Sequence, residues 1–448
     1  MNCDQKKKRR KDSNLTGGVS SIFKIPDLRK KILFTLAMVV VYRLGTHIPV
    51  PGINAQALGW ILSQLRGTVF GLYDIFVGGA LSRASVFALG VMPYISASIV
   101  FQLLGSVFPF LEKLQRDEEG RKKLNQYTRY ATVALAIIQS ASIAVYLEAQ
   151  PPTQFGSIVI QPGLFFRIMT IFTLTAGTIF VMWLGEQITD RGIGNGISFI
   201  ILIGCLDSTP QDLARTFQQA RISSWLWLII VAALVFIVYA AVVLMTMAER
   251  KIPVQYPKRI VGRRMYGGQS THIPLRLITA GVIPIIFAQS LIVFPSTFAT
   301  FLKLPFLQWL QRFLSPGGWL YNLLYAVLII FFTYFYTSIV FNPRDLADNM
   351  QRYGGFIPGI RPGEKTAAYI DRSLSLLTLP GALFLVVIAL LPWLLMSAFR
   401  VPFYFGGTTL LIIVGVALDT LQQIEAHLVM RHYEGLVKGG KFMGRRFG

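Results

Sequence analysis

The amino-acid sequence predicts an all-α polytopic membrane protein with ten transmembrane helices in two pseudo-symmetric, inverted halves. Three observations support this prediction: the composition, the spacing of the apolar stretches, and one short phrase that occurs twice. Of the 448 residues, 53% are apolar and only 14% are charged. Soluble domains carry about 25% charged residues, so the chain is expected to lie in a membrane.

Ten apolar stretches are long enough, or nearly long enough, to cross a bilayer. A transmembrane helix needs about 20 mostly apolar residues, and the fifth stretch is shorter than that. The second and the seventh stretches are interrupted by prolines. The ten candidate spans lie near residues 32–50, 86–111, 130–148, 164–184, 197–207, 225–247, 277–300, 319–341, 373–397 and 408–428.

The distribution of lysine and arginine gives the orientation of these spans. Basic residues accumulate in the cytoplasmic loops of membrane proteins. The two termini and the alternate loops hold 34 basic residues, whereas the opposite loops hold seven. We therefore predict that both termini are cytoplasmic. The net charge of +22 is then a topology signal and does not indicate a nucleic-acid site.

A repeated motif of similar sequence, the short phrase mentioned above, relates the second span to the seventh. Residues 90–97 read Gly-Val-Met-Pro-Tyr-Ile-Ser-Ala, and residues 281–288 read Gly-Val-Ile-Pro-Ile-Ile-Phe-Ala. Because proline lacks a backbone donor, each span is predicted to be bent or broken at mid-depth. Interrupted helices at matching places in two halves point to a central pathway between inverted repeats. The alternative is a chance match, since Gly and Pro are common in membrane helices.

The spans divide five and five, and an odd number in each half makes the two halves face opposite ways across the membrane. The predicted parts are a basic cytoplasmic segment (1–31), an N-terminal half (32–210), a C-terminal half (211–430) with long cytoplasmic loops at 248–276 and 342–372, and a cytoplasmic tail (431–448).

Charged residues inside the spans are few, which bears on the function class. Only Arg43, Arg167 and Asp419 are candidates for the membrane interior, whereas ion-coupled transporters need ionisable groups at depth. An inverted-repeat secondary transporter is therefore the alternative function and not the first choice. The sequence contains no recognisable catalytic cluster, so we expect neither an enzyme nor a cofactor. The cysteines, Cys3 and Cys205, and the four scattered histidines predict no metal site.

A glycine-rich amphipathic stretch, residues 71–85, lies between the first and second spans and is too short to cross the membrane. It fits an interfacial helix lying on the membrane surface. It equally fits a re-entrant segment, which requires that surrounding protein shelters its backbone. The residues alone leave both interpretations open.

The two long cytoplasmic loops contain more sequence signals for ordered structure than a simple connection between two spans would need. Residues 248–276 combine β-branched residues, turn glycines and arginines, which predicts a protruding hairpin that docks an acidic or nucleic-acid partner. The second loop places Arg361 between Ile360 and Pro362, flanked by glycines. We interpret both loops as partner-docking elements.

The chain resembles the SecY family, the channel subunits of the bacterial protein-secretion translocon. The resemblance extends from Phe23 to the tail and is most specific at residues 78–98, 185–198, 269–274 and 359–364. It implies a clamshell of two halves with a re-entrant plug helix. Unfolded polypeptides would pass through an hourglass pore, and signal sequences would leave sideways between helices two/three and seven/eight.

The resemblance also implies roles for individual residues. The pore constriction maps to Val91, Ile95, Ile201, Ile286 and Ile412; the plug to Leu72, Ile75, Phe76, Gly78, Gly79 and Leu81; the lateral gate to Gln102 and Ser290; and partner docking to Arg263, Arg264 and Arg361. The implied partners are SecE and SecG, the SecA ATPase, the ribosome, a secretory preprotein with its signal sequence, and membrane lipid. The implied location is the cytoplasmic (inner) membrane of a bacterium.

Overall fold

The structure, a computed structural model, describes residues 26–64, 69–223, 225–256, 259–261, 264–266, 270–279, 281–301, 318–399 and 407–439. Its helices are α1 (Pro26–Gly45), α2 (Ala55–Gln64), α3 (Val69–Phe76), α4 (Met92–Val107), α5 (Pro109–Arg116), α6 (Glu118–Glu148), α7 (Leu164–Arg191), α8 (Gly196–Ser223), α9 (Trp225–Met247), α10 (Ile283–Phe301), α11 (Trp319–Val340), α12 (Pro343–Arg352), α13 (Glu364–Phe399) and α14 (Gly407–Gly439). Its strands are β1 (Glu249–Gln255), β2 (Arg259–Val261), β3 (Arg264–Tyr266) and β4 (Ser270–Arg276).

The predominantly helical fold is the predicted one. Nine of the candidate spans each overlap one described helix, and the second, 86–111, overlaps the two helices α4 and α5. Within the described residues, five helices are long and apolar enough to cross a membrane, or six if the bent pair α4 and α5 is one span. The apolar parts of α8, α9 and α10 are shorter. Helix α8 continues through residues 211–223, across the boundary predicted between the two halves.

The two repeated phrases form the same local structure, but it differs from the predicted one. Gly90 and Gly281 have φ angles of 53° and 60°, in the left-handed region that glycine adopts at little cost. Helices α4 and α10 begin just after these turns, so Pro93 and Pro284 lie in their first turns, where a missing N–H is tolerated. The predicted mid-helix break at these prolines is therefore wrong, because the interruption is a turn before each helix. A bend of 113° separates α4 from α5, which begins at Pro109.

The predicted hairpin is present in the loop 248–276. Strands β1 and β4 pair antiparallel from Glu249 opposite Arg276 to Gln255 opposite Ser270, and β2 pairs with β3. Gln255 also exchanges two backbone hydrogen bonds with Phe356 of the other long loop, at 2.9 and 3.0 Å. The two loops that the sequence treats separately are therefore joined.

Three buried apolar clusters organise the packing. The central cluster draws on both halves and includes Tyr42, Val181, Ile285, Ile329 and Ile412. The second cluster packs the segments around α2 against α6 and α7, and the third, the hairpin cluster, packs β1 and β4 against α12 and α13. The members of the hairpin cluster are Ile252, Val254, Leu275, Met350, Ile357, Ile370 and Leu374.

The shared hairpin cluster predicts that the two long loops lose order together. Ile252 is 2% exposed, and truncating a buried Ile to Ala costs about 2–5 kcal/mol. We expect Ile252→Ala to raise amide hydrogen exchange in both 249–255 and 350–360, measured by mass spectrometry. The adjacent exposed Lys251→Ala should leave both segments unchanged. Faster exchange confined to the hairpin would show that the loops are independent.

Candidate functional site

Five aliphatic side chains assigned to the constriction come together in the central cluster. Their exposed fractions lie between 0% and 5%, and they come from the start of α4 and from α8, α10 and α14. The five are Val91, Ile95, Ile201, Ile286 and Ile412. Such a group offers no hydrogen bond to a passing ion, and a narrow apolar constriction excludes ions by dewetting.

A cleft of about 260 Å³ lies on one side of this group. Three constriction residues, Ile95, Ile201 and Ile286, line it together with polar side chains. The polar side chains are Tyr94, Ser98, Gln102, Asn125, Asn195, Ser198 and Tyr336. Asn195 precedes α8 and Asn125 lies near the start of α6, so the cleft opens toward the predicted cytoplasmic ends of these helices. We call this partly polar cleft the polar vestibule; three of the residues assigned to the constriction lie in its wall.

The stretch 71–85, which we call the plug segment, lies inside the protein. Tyr73, Phe76, Val77 and Ala80 are buried in the central cluster with the constriction residues. Among the other plug residues, Gly78 is buried, whereas Ile75, Gly79 and Leu81 are half-buried, and the side chain of Leu72 lies outside the described ones. Burial among helices is what a re-entrant segment requires, and it does not suit a helix on the membrane surface.

The plug segment approaches α8 so closely that two glycines are required. A Cβ atom on Gly78, whose φ is 72°, would lie 2.9 Å from the Cα atom of Gly204, and a Cβ atom on Gly204 would lie 2.5 Å from the carbonyl oxygen of Phe76. Tyr73 Oη also donates a hydrogen bond to the Leu89 carbonyl oxygen at 2.8 Å. These contacts fix the position of the plug backbone beside α8.

The two residues assigned to the lateral gate have different surroundings. Ser290 on α10 is buried and donates a hydrogen bond to Met92 Sδ on α4 at 3.7 Å, so it bridges the seam between these helices. Gln102 bonds within α4, from Nε2 to Ser98 Oγ at 3.1 Å, and its buried Oε1 has no hydrogen-bond partner. An apolar groove of about 340 Å³, lined by α4, α6 and α10, contains Ser290 at this seam.

Of the three docking arginines, Arg361 is the one whose side chain is described. It is exposed, and its carbonyl oxygen accepts a hydrogen bond from Thr366 Oγ1 at 2.9 Å. Arg264 lies in β3, but its side chain is outside the described ones, and Arg263 is outside the described residues. The loop that carries Arg361 and the hairpin that carries Arg264 belong to the one unit built around the hairpin cluster.

Sequence reasoning missed Asp207. Arg43, named as an interior charge, pairs with Asp207 at the end of the apolar part of α8, and Arg83 pairs with the same carboxylate. Arg167, the second interior candidate, pairs with Glu148 at 2.5 Å. Asp419, the third, lies beside Gly281. A lone arginine in one span and a lone acid at the end of another could have suggested a pair, because charges near a membrane interior rarely lack partners.

Comparison with known proteins gives the family. The family model described as SecY matches residues 85–421. The protein translocase subunit SecY of Aquifex aeolicus is 47% identical over 424 residues, covering 94% of this chain and 99% of that protein. That of Escherichia coli K12 is 49% identical, covering 93% and 96%. The chain belongs to the SecY family.

Solved structures agree on the fold. A protein-conducting channel matches 90% of this chain and 93% of its own with a TM-score of 0.61 at 17% identity. Sec61 from a canine ribosome-channel complex covers 90% and 93% with a TM-score of 0.57 at 16% identity. The resemblance stated from the sequence is confirmed. The chain is a protein-conducting translocation channel of the SecY family, a non-enzymatic channel family, and the transporter alternative is not favoured.

The geometry of the constriction leads to a crosslinking prediction. Cysteines at Val91, Ile95 and Ile286 should crosslink to a secretory chain arrested during translocation, because these residues would surround its path. A cysteine at Phe172, which lies on α7 and is 74% exposed, is the control and should give only background. Equal crosslinking from Phe172, or none from the three inner positions, would contradict the pathway.

Proposed function

We propose that this SecY-family channel passes unfolded secretory polypeptides through the group Val91, Ile95, Ile201, Ile286 and Ile412. It releases signal sequences and transmembrane segments sideways into the lipid. The observation that supports this most is the burial of five aliphatic residues from both halves in one cluster, below a polar vestibule. An apolar ring prefers no particular side chain, so it suits a channel whose substrates vary in sequence, and it excludes ions when empty.

The lateral exit lies at the seam between α4 and α10. Among the described residues, a hydrogen bond from the buried Ser290 to Met92 crosses this seam, and a thioether sulfur is a weak acceptor. Beside it lies the apolar groove formed by α4, α6 and α10. An apolar signal helix would find apolar walls there. The two halves, residues 32–210 and 211–430, part at this seam like a clamshell.

The plug segment, residues 71–85, closes the pore at rest. Its buried side chains pack in the same cluster as the constriction residues. A similar protein, solved under the description that the plug domain of SecY stabilises the closed state and maintains a membrane seal, has a TM-score of 0.59. The burial of Tyr73 and Phe76 supports the same role here.

Shortening the plug tests this role. Deleting about ten residues within 71–85 should raise the frequency of resting ion-conducting openings in planar bilayers, because the constriction would lose its packing partner. Circular dichroism and thermal unfolding of the purified channel should confirm that the helices are retained. Resting currents equal to wild type in a folded deletion variant would instead return the segment to a structural role.

Energy and targeting come from partners in the bacterial cytoplasm. The surplus of basic residues on one side predicts that the termini and both long loops are cytoplasmic in the inner membrane. The exposed Arg361, together with Arg263 and Arg264 in the sequence of the loop 248–276, would bind the SecA ATPase or the ribosome. A similar channel, Sec61, was solved in a ribosome complex. SecE and SecG complete the assembly in lipid.

Reversing the charge at Arg361 tests the docking surface. An exposed guanidinium makes bidentate contacts to a carboxylate or phosphate that lysine does not reproduce. Arg361→Glu should weaken binding of SecA or the ribosome by about 2–4 kcal/mol, as at an interface hot spot, and Arg361→Lys should be intermediate. Binding to purified channel and SecA-dependent translocation measure the effect.

The control for this variant is Arg191→Glu, which makes the same charge change at an exposed position at the end of α7, outside the two long loops. It should bind nearly as wild type, because only a general electrostatic attraction would be altered. Thermal stability should be unchanged in both variants. If the two variants lose affinity equally, or neither does, Arg361 has no special role in docking.

A further inference from the structure

One carboxylate lies between two guanidinium groups from different parts of the chain. Arg83, near the end of the plug segment, places its Nη1 atom 3.1 Å from Asp207 Oδ2 on α8. Arg43, near the end of α1, donates a hydrogen bond from Nη2 to Oδ1 of the same carboxylate. The Asp207 side chain is 10% exposed, whereas those of Arg43 and Arg83 are 36% and 30% exposed. The acid is therefore nearly withdrawn from water, and both bases still reach it.

We infer that Asp207 positions the plug segment for sealing, by holding Arg83 against α8 and α1 as an ionic latch. The inference rests on the proposed role of the plug and adds a residue to it that neither the sequence patterns nor the constriction geometry assigns. Asp207 is not one of the residues assigned to the constriction. It acts through Arg83 and is a positioning residue.

Arg83 moves with the plug because local hydrogen bonds make the segment one compact unit. Its backbone N–H donates to the Gly79 carbonyl oxygen at 3.2 Å. Asp74 on α3 accepts a hydrogen bond from the Ser82 N–H at 3.0 Å. The Arg83 guanidinium folds back over Gly79, 3.7 Å from where a Cβ atom would be. A displacement of the Arg83 side chain is therefore transmitted to the backbone of the plug segment.

The same face of α8 holds the plug in a second way. Gly204 and Asp207 are separated by three positions, so they lie on neighbouring points of one helix face. Gly204 meets the plug backbone at Gly78 and Phe76, and Asp207 meets the charge at its end. The close backbone approach at Gly78 and the ion pair at Arg83 therefore hold two points of the plug segment against α8.

Two bases on one acid make this contact releasable. Removing the only partner of a buried charge is strongly unfavourable, because the charge is left without water or a counter-ion. Here Arg43 stays on Asp207 when Arg83 leaves, since Arg43 belongs to α1 and not to the plug. Arg83 regains water as it moves out. The pair therefore stabilises the closed position without preventing opening.

The test is the resting activity of the complete reconstituted channel in planar bilayers. Asp207→Asn and Arg83→Gln should each raise the frequency of resting openings several-fold, and the double variant should rise no further, because both changes remove one interaction. Raising the salt concentration screens partly exposed pairs. Wild-type opening frequency should therefore increase with salt, while that of Asp207→Asn should not respond.

The matched control is Glu148→Gln, which breaks the Arg167 pair with the same chemical change at a side chain that is 13% exposed. It should keep the wild-type opening frequency, because this pair does not involve the plug segment. If Glu148→Gln leaks as much as Asp207→Asn, the effect is general and the latch is wrong. If Asp207→Asn fails to fold, Arg83→Gln decides the question alone, since Asp207 then retains Arg43.

The plug deletion separates the two proposals. A leaky deletion variant together with wild-type behaviour of Asp207→Asn and Arg83→Gln overturns the latch and leaves the plug role intact. A deletion variant that does not leak overturns the plug role, and the latch with it. Leakage in all three variants with a silent Glu148→Gln is the result that we expect.

Discussion

The close approach of the plug segment to α8, at Gly78 and Gly204, is the contact on which the position of this segment depends. A Cβ atom at either position would lie too close to the opposing backbone. Because the backbones meet, Phe76 and Val77 reach the central cluster, and the constriction residues gain an apolar neighbour on that side. Side chains of ordinary size at these two glycines would hold the segment away from the ring. The seal proposed for the plug segment therefore depends on the two glycines, Gly78 and Gly204.

The rest of the pore region reflects a balance between tight packing and the need to open. Apolar contacts in the central cluster have no direction and can be remade after movement. Two of the polar contacts at the proposed moving boundaries are weak or shared: the Ser290 hydroxyl bonds to the thioether sulfur of Met92, and Asp207 has two basic partners. A channel with strong, single-partner bonds across its seam would be stable but would not open readily.

The two repeated phrases supply the framework for this balance. In both halves a left-handed glycine, Gly90 or Gly281, ends an irregular segment and a proline begins a helix. Val91 follows the turn before α4, and Ile286 lies one turn into α10; both are buried in the central cluster. The hairpin cluster is a separate packed group, so the proposed partner docking and the proposed pore closure would rest on different sets of contacts.

The sequence by itself determined the class, the spans and the family. These follow from properties that are local along the chain: apolar length, the distribution of Lys and Arg, and short motifs such as Gly-Val-x-Pro. The resemblance assigns the five constriction residues position by position; the structure places them in one buried cluster, and their role as a constriction stays a proposal. The hairpin was also predictable, since its turn glycines and β-branched residues are neighbours in the chain.

Only the tertiary structure decided the position of the plug segment, the join between the two long loops and the partners of Asp207. The amphipathic pattern of residues 71–85 fits a membrane surface and a protein interior equally, because both present one apolar side. The pairing of Arg43, Arg83 and Asp207 joins parts of the chain that are far apart in sequence, and no local pattern encodes such a distance. The pairing arises because α1, the plug segment and α8 pack against one another. The nearly buried Asp207 carboxylate is then stabilised by the two basic side chains nearest to it.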